Sequence, residues 1–257
     1  MGEISYGSYT TIKKQGDELC KQIHLDKLSQ NQKIILNDIE CSRYDIEHYQ
    51  QLLIEDNFPL EPAYDFAYKN NSITFKQKYI DSKNVDELLE YCYHNNNYKN
   101  AIKIFEDVFC LWIYSHQNKH YYVDYNLRNF VYKNGKLTLI DIYPPLISDN
   151  IKQPSNQASK NQIELWTNKY VNLASLICYF VQGIIQDKID DKNIEKLNKI
   201  LNNIFEIINK KANIEKNQFI KNVKNTNHVF ANRFMQLLDI CEGKNKDINQ
   251  FINAILF

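Results

Sequence analysis

Residues 121–141 read Tyr-Tyr-Val-Asp-Tyr-Asn-Leu-Arg-Asn-Phe-Val-Tyr-Lys-Asn-Gly-Lys-Leu-Thr-Leu-Ile-Asp. Asp124 lies five residues before Asn129, and both precede an apolar run, Phe130 to Tyr132. Asn134-Gly135 follow, then an alternating run, Leu137 to Ile140, that ends on Asp141. Asn-Gly between two strand-like runs is the strongest short signal of a β-hairpin. The expected hairpin carries Asp124 and Asn129 at its entrance and Asp141 at its exit, all at one end. Two carboxylates and one amide gathered there suit a divalent cation and an oriented hydroxyl nucleophile, the set that phosphoryl transfer from ATP requires. The competing reading is a plain hairpin with two solvated acids at its mouth, because Asp and Asn are common there.

Working outward, the chain of 257 residues can bury a sizeable core as one large domain or two lobes. Lysine plus arginine equals aspartate plus glutamate, 31 each, so no net field draws it to nucleic acid or to an anionic membrane. Met1 to Tyr6 holds no basic segment followed by an apolar one, so no secretory signal is expected. The most apolar stretch, Val171 to Ile185, is broken by Asn172, Ser175 and Gln182 and is too short for a bilayer span. A cytoplasmic location is the expectation. The six cysteines include no Cys-x-x-Cys pair and no histidine at zinc spacing, which fits reduced thiols better than metal or disulfide.

The first eighty residues read mostly as strands, with turns at Gly7 and Gly16 separating three short runs. Ile34 to Asn57 has helical spacing, with Ile46, Tyr49, Leu52 and Leu53 on one face. Two further strands, Ala63 to Tyr68 and Ile73 to Ile80, flank a turn at Lys69-Asn70-Asn71. After Asp81 the pattern turns helical. Ser82 reads as an N-cap, and a long apolar helix spans Ala101 to Ser115. Ser148 to Lys160 reads as an exposed loop, followed by helices over 161–186, 190–211, 214–224, 227–241 and 246–255. Lys21 alternates with Leu19 and Ile23 on the third strand, so it faces inward. That is costly unless the ammonium is paired or meets a ligand. An edge-strand lysine in solvent is the alternative.

The spacing around the hairpin resembles the catalytic and metal-binding segments of the protein-kinase-like superfamily, closest to its small-molecule branch, the aminoglycoside phosphotransferases and choline kinases. Tyr122-Val123-Asp124 stands where that family has His-Gly-Asp, and Asp141-Ile142-Tyr143 stands where it has Asp-Phe-Gly. The resemblance implies an α+β, two-lobed fold. Residues 1–80 would form an N-lobe of antiparallel sheet and one helix, and residues 81–257 a mainly helical C-lobe. It implies ATP and Mg²⁺ as cofactors, with Asp124 as the base for the substrate hydroxyl and Asn129 and Asp141 as metal ligands. Lys21 resembles the lysine that reaches the ATP phosphates, with Leu19 against the adenine and Glu47 as the helix glutamate that anchors the lysine. Lys13 and Lys14 sit too close to the Gly16 turn, and Glu55 too close to the helix end, for those roles. Gly7-Ser8 stands at the phosphate-covering loop, where one glycine lets backbone N–H groups approach phosphate.

Arg128 precedes Asn129 and is open to two roles. It is either a planar clamp on the γ-phosphate or an anionic substrate, or one half of a structural pair with a C-lobe carboxylate. Asn172 stands where the family has an aspartate that accepts from the catalytic-loop backbone. The departures at Tyr122, Ile142-Tyr143 and Asn172 remove no group that performs chemistry or binds metal. The resemblance therefore implies an active kinase transferring the γ-phosphate to a small-molecule hydroxyl, of antibiotic, sugar or amino-alcohol type. No Ala-Pro-Glu follows Asp141, which disfavours a protein substrate. Two other classes stay open: a non-catalytic kinase-like module that binds nucleotide or a partner, and transfer of AMP instead of phosphate.

Overall fold

Three two-residue turns set the strands. Gly16 (φ +62°) joins Thr10–Gln15 to Glu18–His24, and Asn70-Asn71 (φ +51° and +53°) joins Ala63–Lys69 to Ser72–Lys78. Asn134-Gly135 (φ +52° and +76°) joins Phe130–Lys133 to Lys136–Leu139. Left-handed pairs of this kind match the right-handed twist of the strands they connect, and asparagine and glycine adopt them at least cost. These elements belong to a computed structural model that describes residues 3–5, 9–39, 41–184 and 191–244. The expected glycine loop at Gly7-Ser8 and the expected helix over 246–255 lie outside the described residues. The fold is α+β, a small antiparallel sheet and a helical body.

The chain divides into two compact units. The first takes the chain up to Ser82 together with Asn118–Tyr122 and Phe130–Ile163. Its five-stranded sheet contains β1 (Glu3–Ser5), β2 (Thr10–Gln15), β3 (Glu18–His24), β4 (Ala63–Lys69) and β5 (Ser72–Lys78), in the order β1-β2-β3-β5-β4, antiparallel throughout. The hairpin β6 (Phe130–Lys133) and β7 (Lys136–Leu139) forms as expected, with Phe130 opposite Leu139. It groups with the sheet rather than with the helices. Backbone bonds explain why: Leu139 donates to Pro59 O at 2.8 Å and accepts from Glu61 N at 2.9 Å.

The single helix expected over 34–57 is two, α1 (Gln30–Asn37) and α2 (Arg43–Glu55). Asp38 breaks the run. Its backbone carbonyl accepts from Lys152 N at 2.8 Å, its side chain from Ser155 N and Oγ at 2.9 and 2.7 Å, and Ile39 bridges to Ile151. A capping box on Ser42 and Asp45 then starts α2 afresh. Ile46, Tyr49 and Leu53 are its buried face.

The second unit takes Lys83–Gln117, Val123–Asn129 and the chain from Glu164. It contains α3 (Val85–His94), α4 (Tyr98–Gln117), α6 (Lys169–Ile184), α7 (Asp191–Ala212), α8 (Lys216–Lys224) and α9 (Val229–Cys241); α5 (Gln157–Thr167) ends in it. Asn84, not Ser82, caps α3, through a capping box with Glu87; the Ser82 hydroxyl instead donates to Tyr132 O in the first unit. The helix expected over 161–186 is interrupted at Asn168, whose side chain accepts from Tyr170 N at 3.0 Å and so caps α6. Helix α6 is apolar nearly all round and almost wholly buried, as a central helix must be. At Gly183 a Cβ would stand 3.1 Å from the Leu89 side chain, so α3 and α6 approach closely there because glycine has none. Phe205, Phe219 and Phe234 close the far side of the core with ring centroids 5.2–6.2 Å apart. The cysteines described are free thiols. Among the described residues, no helix is long and apolar enough to cross a membrane.

Candidate functional site

In the sheet unit the inward alternation on β3 holds. Lys21 is 5% exposed and Ile23 2%, with Leu19 half-buried two residues before on the same face. Lys13 is exposed, and Lys14 lies over the Tyr79 ring at 3.4 Å. Lys21 Nζ donates to Ile140 O at 2.5 Å and stands 4.0 Å from Asp141 Oδ1. The Phe75 ring, opposite Lys21 in the sheet, lies 5.9 Å away. Burial lowers the Lys21 pKa from its ordinary 10.5, and the Asp141 charge works against that fall. The Asp141 side chain is 40% exposed. The same Oδ1 accepts from Tyr143 N at 3.4 Å.

An ammonium has three N–H donors. Among the described residues, one donor of Lys21 meets an acceptor at hydrogen-bond distance, and both contacts of Asp141 fall on one carboxylate oxygen. A desolvated cation with unspent donors beside a half-exposed carboxylate is a costly arrangement for a protein to keep on its own. It suits an anion on the lysine and a cation on the aspartate.

Glu47, the expected anchor for Lys21, pairs with Arg43 one helical turn away, Nε to Oε1 at 2.8 Å. Lys21 takes Asp141 instead. Sequence reasoning also placed Tyr49 only as core, whereas its hydroxyl donates to Tyr122 O at 2.7 Å, two residues before Asp124. An amphipathic tyrosine on an otherwise apolar helix face was the available signal.

In the helical unit, the segment after Tyr122 buries alternate side chains, Val123, Tyr125 and Leu127, which leaves Asp124, Asn126 and Arg128 less covered. Tyr125 is fixed by a 2.8 Å hydroxyl contact with Ser115 on α4. The turn then closes on itself. Asp124 Oδ1 accepts from Asn126 N at 3.1 Å, Asn126 Oδ1 from Arg128 N at 3.2 Å, and Asn126 O from Asn129 N at 2.9 Å. Asn129 Nδ2 donates to Asp124 O at 3.3 Å, which commits its nitrogen to the turn and makes its oxygen the end left for a cation. Burial first, and the Asp124 charge second, hold the Tyr179 phenol protonated well above its ordinary range.

Arg128 Nε pairs with Asp86 Oδ2 at 3.1 Å on the first turn of α3. Of its two expected roles, the structure displays the pair with a carboxylate of the helical unit. Asn172 is buried, but its partners are not the catalytic-loop backbone. Its oxygen accepts from Trp112 Nε1 at 2.8 Å and its nitrogen donates to Leu165 O at 2.9 Å. An aspartate would lose the second bond, so asparagine is the residue this packing requires.

Among the described residues, no three His, Cys, Asp or Glu side chains converge as a self-sufficient metal cage. Mg²⁺ bound with nucleotide keeps phosphate oxygens and waters among its ligands and needs only one or two protein groups. Asp141 offers a carboxylate of that chemistry within the sheet unit, and Asn129 an amide oxygen within the helical unit. No family model and no curated protein matches the chain.

Proposed function

We propose that the chain is an ATP- and Mg²⁺-dependent phosphotransferase of the two-lobed, protein-kinase-like kind, acting on a hydroxyl of a small molecule in the cytoplasm. The observation that carries this reading is Lys21, buried and incompletely hydrogen-bonded beside the half-exposed Asp141. Support comes from the sheet order β1-β2-β3-β5-β4, with the helices α1 and α2 between its third and fourth strands. The self-closed Asp124–Asn129 turn adds to it.

In this reading Lys21 binds phosphate oxygens and aligns them, while Leu19 lines the adenine side of the same strand. Asp141 and Asn129, through its Oδ1, would each serve as a Mg²⁺ ligand, and the ion would neutralise charge on the phosphates when bound. Asp124 accepts the proton of the acceptor hydroxyl, and its Asx turn keeps the carboxylate in place.

The test is thermal unfolding of the whole chain with ATP, with and without Mg²⁺. The expected result is a rise in Tm with ATP that requires Mg²⁺, accompanied by ATP consumption once a hydroxylated acceptor from a metabolite and antibiotic screen is present. Absence of any nucleotide effect would overturn the reading. A second reading, a nucleotide-binding module without transfer, is favoured by one observation: Glu47 is turned to Arg43 rather than to Lys21. It predicts stabilisation by nucleotide with no acceptor-dependent turnover.

A further inference from the structure

Helices α4 and α7 of the helical unit border a groove of about 670 Å³. Tyr98, Ile102 and Glu106 line it from α4 at intervals of four residues, one face of that helix. From α7 the lining residues recur at three- and four-residue spacing from Lys196 to Lys210. Such a stripe runs about four turns, on the order of 21 Å. Ile200 is buried, and Ile102 and Ile207 are half-buried, so the floor is apolar. The rim is basic: Lys99, Lys196, Lys199, Lys210 and Lys211 against Glu106 and Glu206. In a chain whose charges balance at 31 each, that is a local excess of cations.

Part of the excess is already engaged. Lys211 pairs with Glu106 at 2.8 Å, Lys199 with Glu195 at 2.7 Å, and Lys196 stands 5.6 Å from the Tyr98 ring centre. Lys99 and Lys210 have no carboxylate partner among the described residues. The isoleucines occupy the middle of the α7 stripe and the lysines both of its ends.

We propose that this groove docks an acidic amphipathic helix of a partner protein. Apolar anchors one and two turns apart would seat on Ile102, Ile200 and Ile207, and flanking carboxylates would meet the lysines. The length of the stripe matches roughly fourteen to sixteen helical residues. The cationic rim favours encounter with an acidic segment and disfavours a basic one. This goes beyond the phosphotransferase reading and does not depend on it.

The experiment is fluorescence anisotropy of the full chain with two fluorescein-labelled probes of about sixteen residues. One is a helix-forming peptide with leucines at i, i+4, i+7 and i+11 and glutamates on the flanks. The other has the same composition scrambled. The amphipathic probe is expected to bind at about 10 μM or tighter in low salt, and the scrambled one at least about tenfold more weakly. Ile207→Glu and the exposed double change Lys99→Glu with Lys210→Glu should each weaken binding at least about tenfold, with the Tm of the double variant close to that of the parent. Equal affinity for both probes would show charge attraction alone and overturn the proposal. So would no binding by the parent chain, indifference to both variants, or binding to phosphatidylserine vesicles without binding to the amphipathic peptide.

Discussion

The two candidate sites, one in each unit, are built in opposite ways. In the sheet unit, Lys21 meets the carbonyl of Ile140 across 119 positions of sequence, and nothing local to either residue holds the pair. In the helical unit, Asp124 and Asn129 are five positions apart, and the turn between them is closed by its own asparagines. The first is a desolvated charge cluster that depends on the packing of β3 against the chain after β7. The second is a short backbone motif that any neighbourhood holding Tyr125 in place would preserve. Substitutions in the first should therefore act through charge matching and nucleotide binding, and those in the Asp124 turn through chemistry alone.

The sharpest way to break this contrast is Asp124→Asn. The amide keeps an oxygen for Asn126 N, so fold and Mg²⁺-ATP affinity should stay close to those of the parent. Acceptor-dependent turnover should fall 10²–10⁴-fold, about 3–5 kcal/mol. Steady-state kinetics beside a nucleotide titration separates the two, and turnover near the parent level would remove Asp124 from the mechanism.

Next in size is Asn172→Asp, which installs the residue that the resembled family would have. It leaves a buried carboxylate facing Leu165 O and should cost about 2–4 kcal/mol in urea unfolding. A stable variant with higher turnover would mean that Asn172 serves the turn after all.

The lysine cluster gives an asymmetric pair of outcomes. Asp141→Ala strands a buried ammonium with Ile140 O alone and should destabilise by about 1–3 kcal/mol while abolishing Mg²⁺-dependent nucleotide binding. Lys21→Met should lose nucleotide binding without losing stability, because the abandoned carboxylate is already 40% exposed. The pH dependence follows from the lowered Lys21 pKa. The folded chain releases that proton before the unfolded one does. Stability should therefore climb with pH between the folded value and 10.5, and Lys21→Met should flatten that climb. A parent stability that falls across this window, with Lys21→Met unchanged, would contradict the desolvated assignment.

Smallest is Arg128→Ala. Its pair with Asp86 joins a side chain 64% exposed to one 27% exposed, so roughly 0–1 kcal/mol of stability should be lost and turnover should change only slightly. A large drop in turnover at unchanged stability would restore Arg128 as a clamp on the transferred group.

Parts of both sites were legible from one line of sequence. The Asn-Gly hairpin, the five-residue spacing and the terminal aspartate all stand as local signals, and the hairpin formed where they put it. The inward face of Lys21 was legible too, from two apolar neighbours in a strand. Its partner was not. Glu47 was the best-placed glutamate of the expected helix, yet Arg43 lies one turn before it and takes the carboxylate.

What the sequence determined by itself is chemistry of short reach: turns that need left-handed residues, capping boxes, the period-two burial of β3 and the self-closing turn at Asp124. Each depends on residues within about five positions, whose geometry the backbone supplies directly. What only the tertiary structure decided is which distant groups meet. Asp38 splits one expected helix by binding Ser155 and Lys152, Asn172 answers to Trp112 and Leu165, and Asp141 rather than Glu47 stands beside Lys21. Such partners are chosen by how whole faces pack, and a polar side chain will take whichever buried partner that packing leaves within reach, since an unmet one costs more than the choice between them.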